Sequence, residues 1–402
     1  MGTPKTGAQP SLDSIGVTKQ MAMGLPFIRG TWFFVDPLIG SDDNDGLTVY
    51  TPFASLTAAY TACTDGAGDG IAFLSATSGS TTYSDALYAP ITWSKWGITV
   101  YGVAAGGYNS RARVVSHAAV TTTVAVTMVA TTQTITRAAN SFITDGWKVG
   151  MTGVFNAAGT NASVPFTVTA VSALVLTGTV GTDSILDESS TSHTLTGYFP
   201  QLINVTGSNN RFHNMYFINE SSNALNIGAV SVAGNRNKFV DCHFNNVGAL
   251  QSADAGCFDV RVSSSECQFL HCWMGNNNVA RSAANGNILL GLSTTQIGQN
   301  YFEQCYVLST STTAGHGAIK VADAATLGGY VVFDRCKFIN WLSGAQTALT
   351  VIIIGATPNN CGLLLDRCAS VGYAAVGANN DTWFTTAAAS AAGTGTLALS
   401  IA

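Results

Sequence analysis

Charge is scarce in this chain: only 10% of its 402 residues are Asp, Glu, Lys or Arg, against about 25% in an ordinary globular domain. With 17 basic and 22 acidic residues and a net charge of −5, it has no basic stretch to follow a phosphate backbone, so the composition excludes a nucleic-acid partner. No uninterrupted apolar run reaches the roughly 18 residues a bilayer requires, so no membrane span is expected. The opening Met1-Gly-Thr-Pro4-Lys-Thr-Gly-Ala-Gln-Pro10 lacks the charged-then-apolar layout of a secretory leader. A protein of this kind that acts outside the cell making it is expected to leave by lysis. Catalytic signatures are missing as well: there is no Gly-x-Ser-x-Gly, no His-Glu-x-x-His and no Gly-rich phosphate loop with a Lys, and the six His show no ligand spacing. No cofactor is expected. What replaces charge is 47% hydrophobic residues, 42 Gly and long Ser/Thr/Ala/Asn stretches, a composition that argues against disorder and for a large β-structure with many turns.

One phrase returns six times in the second half. It reads Asn210-Arg-Phe212-His-Asn-Met215-Tyr-Phe217, then Asn237-Lys-Phe239-Val-Asp-Cys242-His-Phe244. Phe269-Leu-His-Cys272-Trp-Met274, Phe302-Glu-Gln-Cys305-Tyr-Val307, Phe333-Asp-Arg-Cys336-Lys-Phe338 and Leu365-Asp-Arg-Cys368 follow. The first apolar residues fall at 212, 239, 269, 302, 333 and 365, in steps of 27, 30, 33, 31 and 32. A unit too short to close its own core predicts a solenoid of stacked rungs. Period-two alternation inside the unit makes the rungs strands.

Cys242, Cys272, Cys305, Cys336 and Cys368 share one slot. Stacked rungs place equivalent atoms about 4.8 Å apart, and no Cys-x-x-Cys pair occurs, so these thiols read as a buried packing ladder, not a metal site or disulfides. Tyr216, His243, Trp273 and Tyr306 lie between the inward residues and should face outward on one side, as a ligand or subunit contact. Ser231, Asp259, Arg261 and Lys320 are expected on another, more solvated face. The asparagines at 219, 246, 276 and 340, four residues past the ladder slot, read as turn residues that tolerate left-handed backbone.

Five parts are expected along the chain. Residues 1–30, broken by Pro4, Pro10 and Pro26, form an extended N-terminal anchoring arm. Residues 31–114 hold Trp32-Phe-Phe-Val35, the turn Asp42-Asp43-Asn44-Asp45-Gly46 and a short helix with Phe53, Leu56 and Ala59 on one face. Asp42, Asn44 and Asp45 are the only metal candidates, and no favoured ones: the calcium-loop spacing is incomplete, and Asx side chains closing their own turn explain the residues equally well. This segment resembles the N-terminal cap of single-stranded right-handed β-helix proteins of the pectate-lyase-like superfamily, phage tailspikes included, in which a helix plugs the open end. The resemblance covers roughly 31–110 and 200–370 and implies the fold, not the chemistry. Residues 115–200 read as a small inserted antiparallel β domain. Its phrase Ser141-Phe-Ile-Thr-Asp-Gly-Trp147-Lys-Val-Gly150 is similar to small β modules of tailed-phage virion proteins. Rungs fill 201–370, and 371–402 should cap the last one, since an open rung is an unpaired edge.

The fold class expected is thus all-β, a right-handed parallel β-helix with a short cap helix and an inserted antiparallel domain. The resemblance implies a homotrimer on a virion surface, partnered by phage capsid or tail proteins. A non-enzymatic head-decoration or cement-type spike is the first reading, because the arm is short and no large head-binding or receptor domain is evident. A tailspike or tail fibre adhesin for host polysaccharide is the second. The third is a glycan hydrolase or lyase using Glu303, Asp334 and Asp366, which superpose at one corner. Stacking would set them about 5 Å apart, near the roughly 5–5.5 Å of retaining glycosidases. Any solenoid stacks equivalent residues at that distance, however, and Asp334-Arg335 and Asp366-Arg367 are able simply to pair across rungs. No catalytic residue is favoured.

Overall fold

The computed structural model describes residues 25–377 except 75–84, 88–90, 104–110, 117–118, 156–160, 162–163, 181–184, 199–200, 220–227, 247–256, 278–279, 282–284, 292–296, 314, 322–328, 342–348 and 355–361. Among the described residues the chain forms three parallel sheets of nine, eight and eight strands, one closed antiparallel barrel and one short helix. Each turn of the coil runs through sheet C, then A, then B. Gln201–Val205 (C) leads to Arg211–His213 (A) and Met215–Asn219 (B), and Gly228–Val232 begins the next turn in C. The expected parallel β-helix, with its cap helix and inserted domain, is what the chain forms.

The repeated phrase is the A-to-B corner. In each, a single residue adopts left-handed backbone: Asn214, Asp241, His271, Gln304, Arg335 and Arg367, with φ from 49° to 54°. Left-handed backbone is costly for residues with a Cβ, and the corner supplies compensating bonds. The N–H of Asp241, His271, Gln304 and Arg335 each donates to a carbonyl of the next turn at 2.8–2.9 Å. The following thiol reaches back: Cys242, Cys272, Cys305, Cys336 and Cys368 donate to the carbonyls of Phe212, Phe239, Phe269, Phe302 and Phe333 at 3.2–3.5 Å. Cysteine is thus small enough for the interior and still satisfies a carbonyl. Inside, Phe212, Phe239, Phe269, Phe302 and Phe333 stack with centroids 4.5–5.0 Å apart.

The C-to-A corner repeats the device. Asn209, Arg236, Glu266 and Gln299 are left-handed (φ 56–59°), and buried Asn210, Asn237 and Asn300 follow three of them. Asn237 Oδ1 accepts from Asn210 N at 2.9 Å, and Asn300 Oδ1 from Cys267 N at 2.9 Å.

At the N-terminal end, helix Leu56–Ala62 is N-capped by Ser55, whose hydroxyl accepts from Ala58 N at 3.1 Å. Phe53, Leu56 and Ala59 are buried in the solenoid core. Lys95 Nζ donates to the carbonyls of Tyr60, Thr61 and Cys63, satisfying groups the helix end leaves open. The helix plugs the coil. Leu25 and Ile28 pack with Trp32, Phe34 and Ala72 against the opposite face of sheet A; residues 1–24 of the expected arm lie outside the described residues. At the other end Ala375–Gly377 joins sheet C, and 378–402 also lie outside them.

The barrel spans Val120–Val129 to Glu188–Tyr198 and interrupts a B-to-C connection, between Ala112–Ser116 and Gln201–Val205. Phe142 and Trp147, from the turn-rich phrase, fill its core with Phe155, Phe166 and Leu195. A Cβ on Gly153 would stand 2.2 Å from the Phe166 ring, so this strand position excludes any larger residue.

Candidate functional site

Sheet A's register sets Glu303 beside Asp334 and Asp334 beside Asp366. All three carboxylates are engaged by arginine. Arg335 pairs with Glu303 and, at 3.0 Å, with Asp334. Arg367 pairs with Asp334 at 2.9 Å and with Asp366 at 3.0 Å. Tyr301 donates its hydroxyl to Asp334 Oδ2 at 3.0 Å, and burial with this neighbouring carboxylate pushes its pKa up to about 12. The result is an alternating ladder, Glu303–Arg335–Asp334–Arg367–Asp366. A hydrolase needs one carboxyl that holds a proton and a second that is free to attack or to activate water. Two guanidinium groups and a phenol already occupy the oxygens of Asp334, which leaves it poorly placed for either role.

The four outward residues form a second column, on sheet B. Tyr216 and His243 stack at 4.2 Å and 2° between planes, and Trp273 and Tyr306 at 4.7 Å and 22°. His243 and Trp273 stand 6.3 Å apart and tilted by 60°. The guanidinium of Arg113 lies 5.4 Å from the Tyr216 ring, and Lys337 Nζ lies 4.8 Å from the Tyr306 ring. Cations therefore cover both ends of the column. Because the rings pack face to face, their edges turn outward, which is poor geometry for stacking a sugar and better suited to a rigid contact wall. Between this column and the corner residues runs an open groove of about 670 Å³, lined by Arg111, His271, Trp273, Gln304, Tyr306 and Lys337 among others.

His243 Nε2 lies 2.9 Å from the Gly275 carbonyl, which only accepts, so that nitrogen carries the proton. Burial pushes His243 down to about 4 and the fully buried His316 down to about 3. The unfolded chain protonates such histidines first, near pH 6.5. Their contribution to stability is therefore complete above about pH 6.5 and is lost as pH falls toward the folded values. The unfolding free energy from urea titration should fall between pH 7 and pH 5, by at most about 1.4 kcal/mol per pH unit for each histidine and less for the partly exposed His243. His316→Gln should flatten the slope. An unchanged slope would refute the assignment.

The candidate metal loop closes on itself. Asp42 Oδ1 accepts from Ala54 N and Ser55 N at 3.0 and 2.9 Å, Asn44 donates to the Pro52 carbonyl at 2.7 Å, and Asp45 accepts from Leu47 N and the Thr51 hydroxyl. These bonds lower the Asp45 pKa, the Leu47 amide first. The oxygens serve the turn and the entry to the cap helix.

Two expectations need correction. Ser231, Asp259, Arg261 and Lys320 do not form a solvated face: Ser231 and Asp259 are fully buried, Lys320 is nearly so, and Arg261 is half-buried and donates to the Ser231 hydroxyl at 3.0 Å. Asp259 is enclosed by Arg281, which bridges to Ser311 outside the sheets and binds it at 2.6 Å. Nor are Asn219, Asn246 and Asn340 left-handed turn residues. They are buried strand ends whose side chains bond backbone: Asn219 to Gly228 O at 2.7 Å, Asn246 to Phe258 O at 3.2 Å and Asn340 to Ser311 O at 2.8 Å. Asn276 donates to Asn245 Oδ1 at 2.7 Å and is not left-handed either. Sequence reasoning also missed the interior Asn210/Asn237/Asn300 corner, although Asn opens the first two repeated phrases.

No protein-family model matches the chain, and no curated protein matches it. Solved structures resemble it weakly. The tailspike protein gp49 from Pseudomonas phage LKA1 shares 12% identity over 76% of this chain, with a TM-score of 0.29, and the chain spans 55% of that protein's length. A pectin methylesterase from Aspergillus niger shares 11% over 91% of this chain and 94% of its own, with a TM-score of 0.38. Pectate lyase Pel9A shares 13% over 92% and 83%, with a TM-score of 0.34. Likenesses at this level leave the chemistry to the chain's own residues.

Proposed function

We propose that the chain is a non-enzymatic virion surface protein of a tailed phage, a head-decoration or cement-type spike. It would act by binding. The N-terminal region docks on the shell, and the solenoid projects from it as a rigid, protease-resistant rod. The edge-out ring column on sheet B is its contact wall toward a second copy, in a homotrimer. The observation that supports the non-enzymatic part of this reading is the corner ladder: Glu303, Asp334 and Asp366 are each held by arginine, and Asp334 by two. The groove beside Trp273, Tyr306 and Lys337 favours one second reading, an adhesin for host surface glycans.

The test is to locate and count the protein on purified particles, by quantitative mass spectrometry and gold-labelled antibody imaging. Many copies over the head are expected; a few at the tail would overturn decoration in favour of adhesion. Purified protein is expected to release no reducing ends from host surface polysaccharide, and Glu303→Gln and Asp334→Asn to change nothing in that assay. Cleavage by the wild type that either variant abolishes would overturn the non-enzymatic reading.

A further inference from the structure

Arg211 and Lys238 stand directly opposite each other on adjacent strands of sheet A. Like charges in facing positions repel. In a chain with more acids than bases, the remedy used elsewhere is a stacked carboxylate: Arg236 has Glu266 at 2.7 Å, and Arg335 has Glu303. Among the described residues no carboxylate pairs with Arg211 or Lys238. The effect reaches His213, on the same strand as Arg211. Its pKa is lowered by burial first and then by Lys238 and Arg211, with Asp241 pulling the other way. The two cations border an open groove of about 480 Å³ that also presents Asn209, Gln268, Gln299, Tyr301 and the Arg236–Glu266 pair, whose carboxylate is already engaged by its arginine.

We propose that this groove is an oxyanion site in which Arg211 and Lys238 together clamp the carboxylate, sulfate or phosphate group of an acidic saccharide. Cations on adjacent strands, about 4.8 Å apart, are able to share one oxyanion. The side-chain amides of Gln268 and Gln299 suit a hydroxyl-rich ligand. A protein partner would call for an apolar, aromatic centre, and among these polar and charged lining residues Tyr301 is the single aromatic ring. Nucleic acid would call for a longer run of cations. The site is separate from the ring column and does not depend on where the protein sits on a particle.

The test uses the full chain, its Arg211→Gln and Lys238→Met variants and the double variant, at low ionic strength. The probes are trigalacturonate, the neutral trisaccharide maltotriose and sodium sulfate. Binding is followed by calorimetry and by the NMR titration of the His213 ring. Trigalacturonate should bind and raise the His213 pKa, and maltotriose should do neither. Each single variant should weaken binding about tenfold or more, as expected for losing a charge-assisted bond. The double variant should raise the His213 pKa without any ligand, a readout that verifies the local potential by itself. Trigalacturonate that leaves His213 unmoved, or that binds the double variant as it binds wild type, overturns the site. Sulfate binding as tightly as trigalacturonate overturns the saccharide assignment and leaves an adventitious ion only.

Discussion

Replacing Asp259 by alanine is expected to destabilise the solenoid by about 3–5 kcal/mol, the cost of leaving one partner of a buried ion pair alone. Both side chains are almost fully enclosed, at 4% exposure for Arg281 and 0% for Asp259. Asp259 Oδ1 accepts from Arg281 at 2.6 Å and from Asn246 N at 2.8 Å, and Oδ2 accepts from Asn287 at 2.7 Å. Burial pushes the Asp259 carboxyl up, and Arg281 works against that shift. Three donors on two oxygens fit the ionised form. The network continues: Ser309 donates to Asn287, and Tyr373 donates to Ser309 at 2.9 Å. The pair thus sits where sheet B hands over to sheet C, beside the buried Asn246 that ends its sheet-B strand. Urea unfolding followed by circular dichroism checks the magnitude. Asp259→Ala combined with Arg281→Met should be markedly more stable than Asp259→Ala alone, because it removes the orphaned charge. A single variant that costs less than about 1 kcal/mol, the value of a surface pair, would mean that Arg281 escapes to water.

That corner also marks the limit of what the sequence reveals. The A-to-B corner is written within four residues, a large apolar residue followed two places later by a left-handed residue and then a cysteine, so its repetition is visible at a fixed offset. Even there, the bonding role of the thiol toward the preceding turn was not legible; only its size was. Asn246 and Asn340 share the parity of Cys242 and Cys336, so the alternation itself pointed them inward. Reading them as turn residues set a residue preference above the strand period. Asp259 had no such signal. Its outward parity is that of a solvated residue, and what encloses it is Arg281, 22 positions later, brought back through a single bridge to Ser311. The corner acids were legible as a stack, because stacking follows from the repeat. Their neutralisation depends on how each arginine divides itself between its own turn and its neighbour, which only side-chain geometry decides.

Phe302→Ala should be among the costliest truncations in the interior phenylalanine stack. Phe302 is fully buried between Phe269, at 4.6 Å and 5°, and Phe333, at 4.5 Å and 13°. Truncating a buried Phe costs about 3–5 kcal/mol in transfer and cavity terms, and losing two stacked partners adds about 0.5–1.5 kcal/mol each. The stack cannot close around the gap, because its spacing is fixed by the hydrogen-bonded strands on either side, about 4.8 Å apart. Phe212, at the stack's end, has one stacked neighbour, Phe239, and edge contacts with Trp93 and Phe217, so Phe212→Ala should lose less stacking. In a solenoid each turn contacts only its neighbours, and damage stays near its source. Hydrogen exchange read by mass spectrometry should therefore rise across roughly residues 267–340, while the barrel, residues 120–198, keeps its protection because its core is a separate cluster. Equal loss of protection in barrel and rungs would show that the two unfold as one unit and that the nearest-neighbour picture does not hold for this chain.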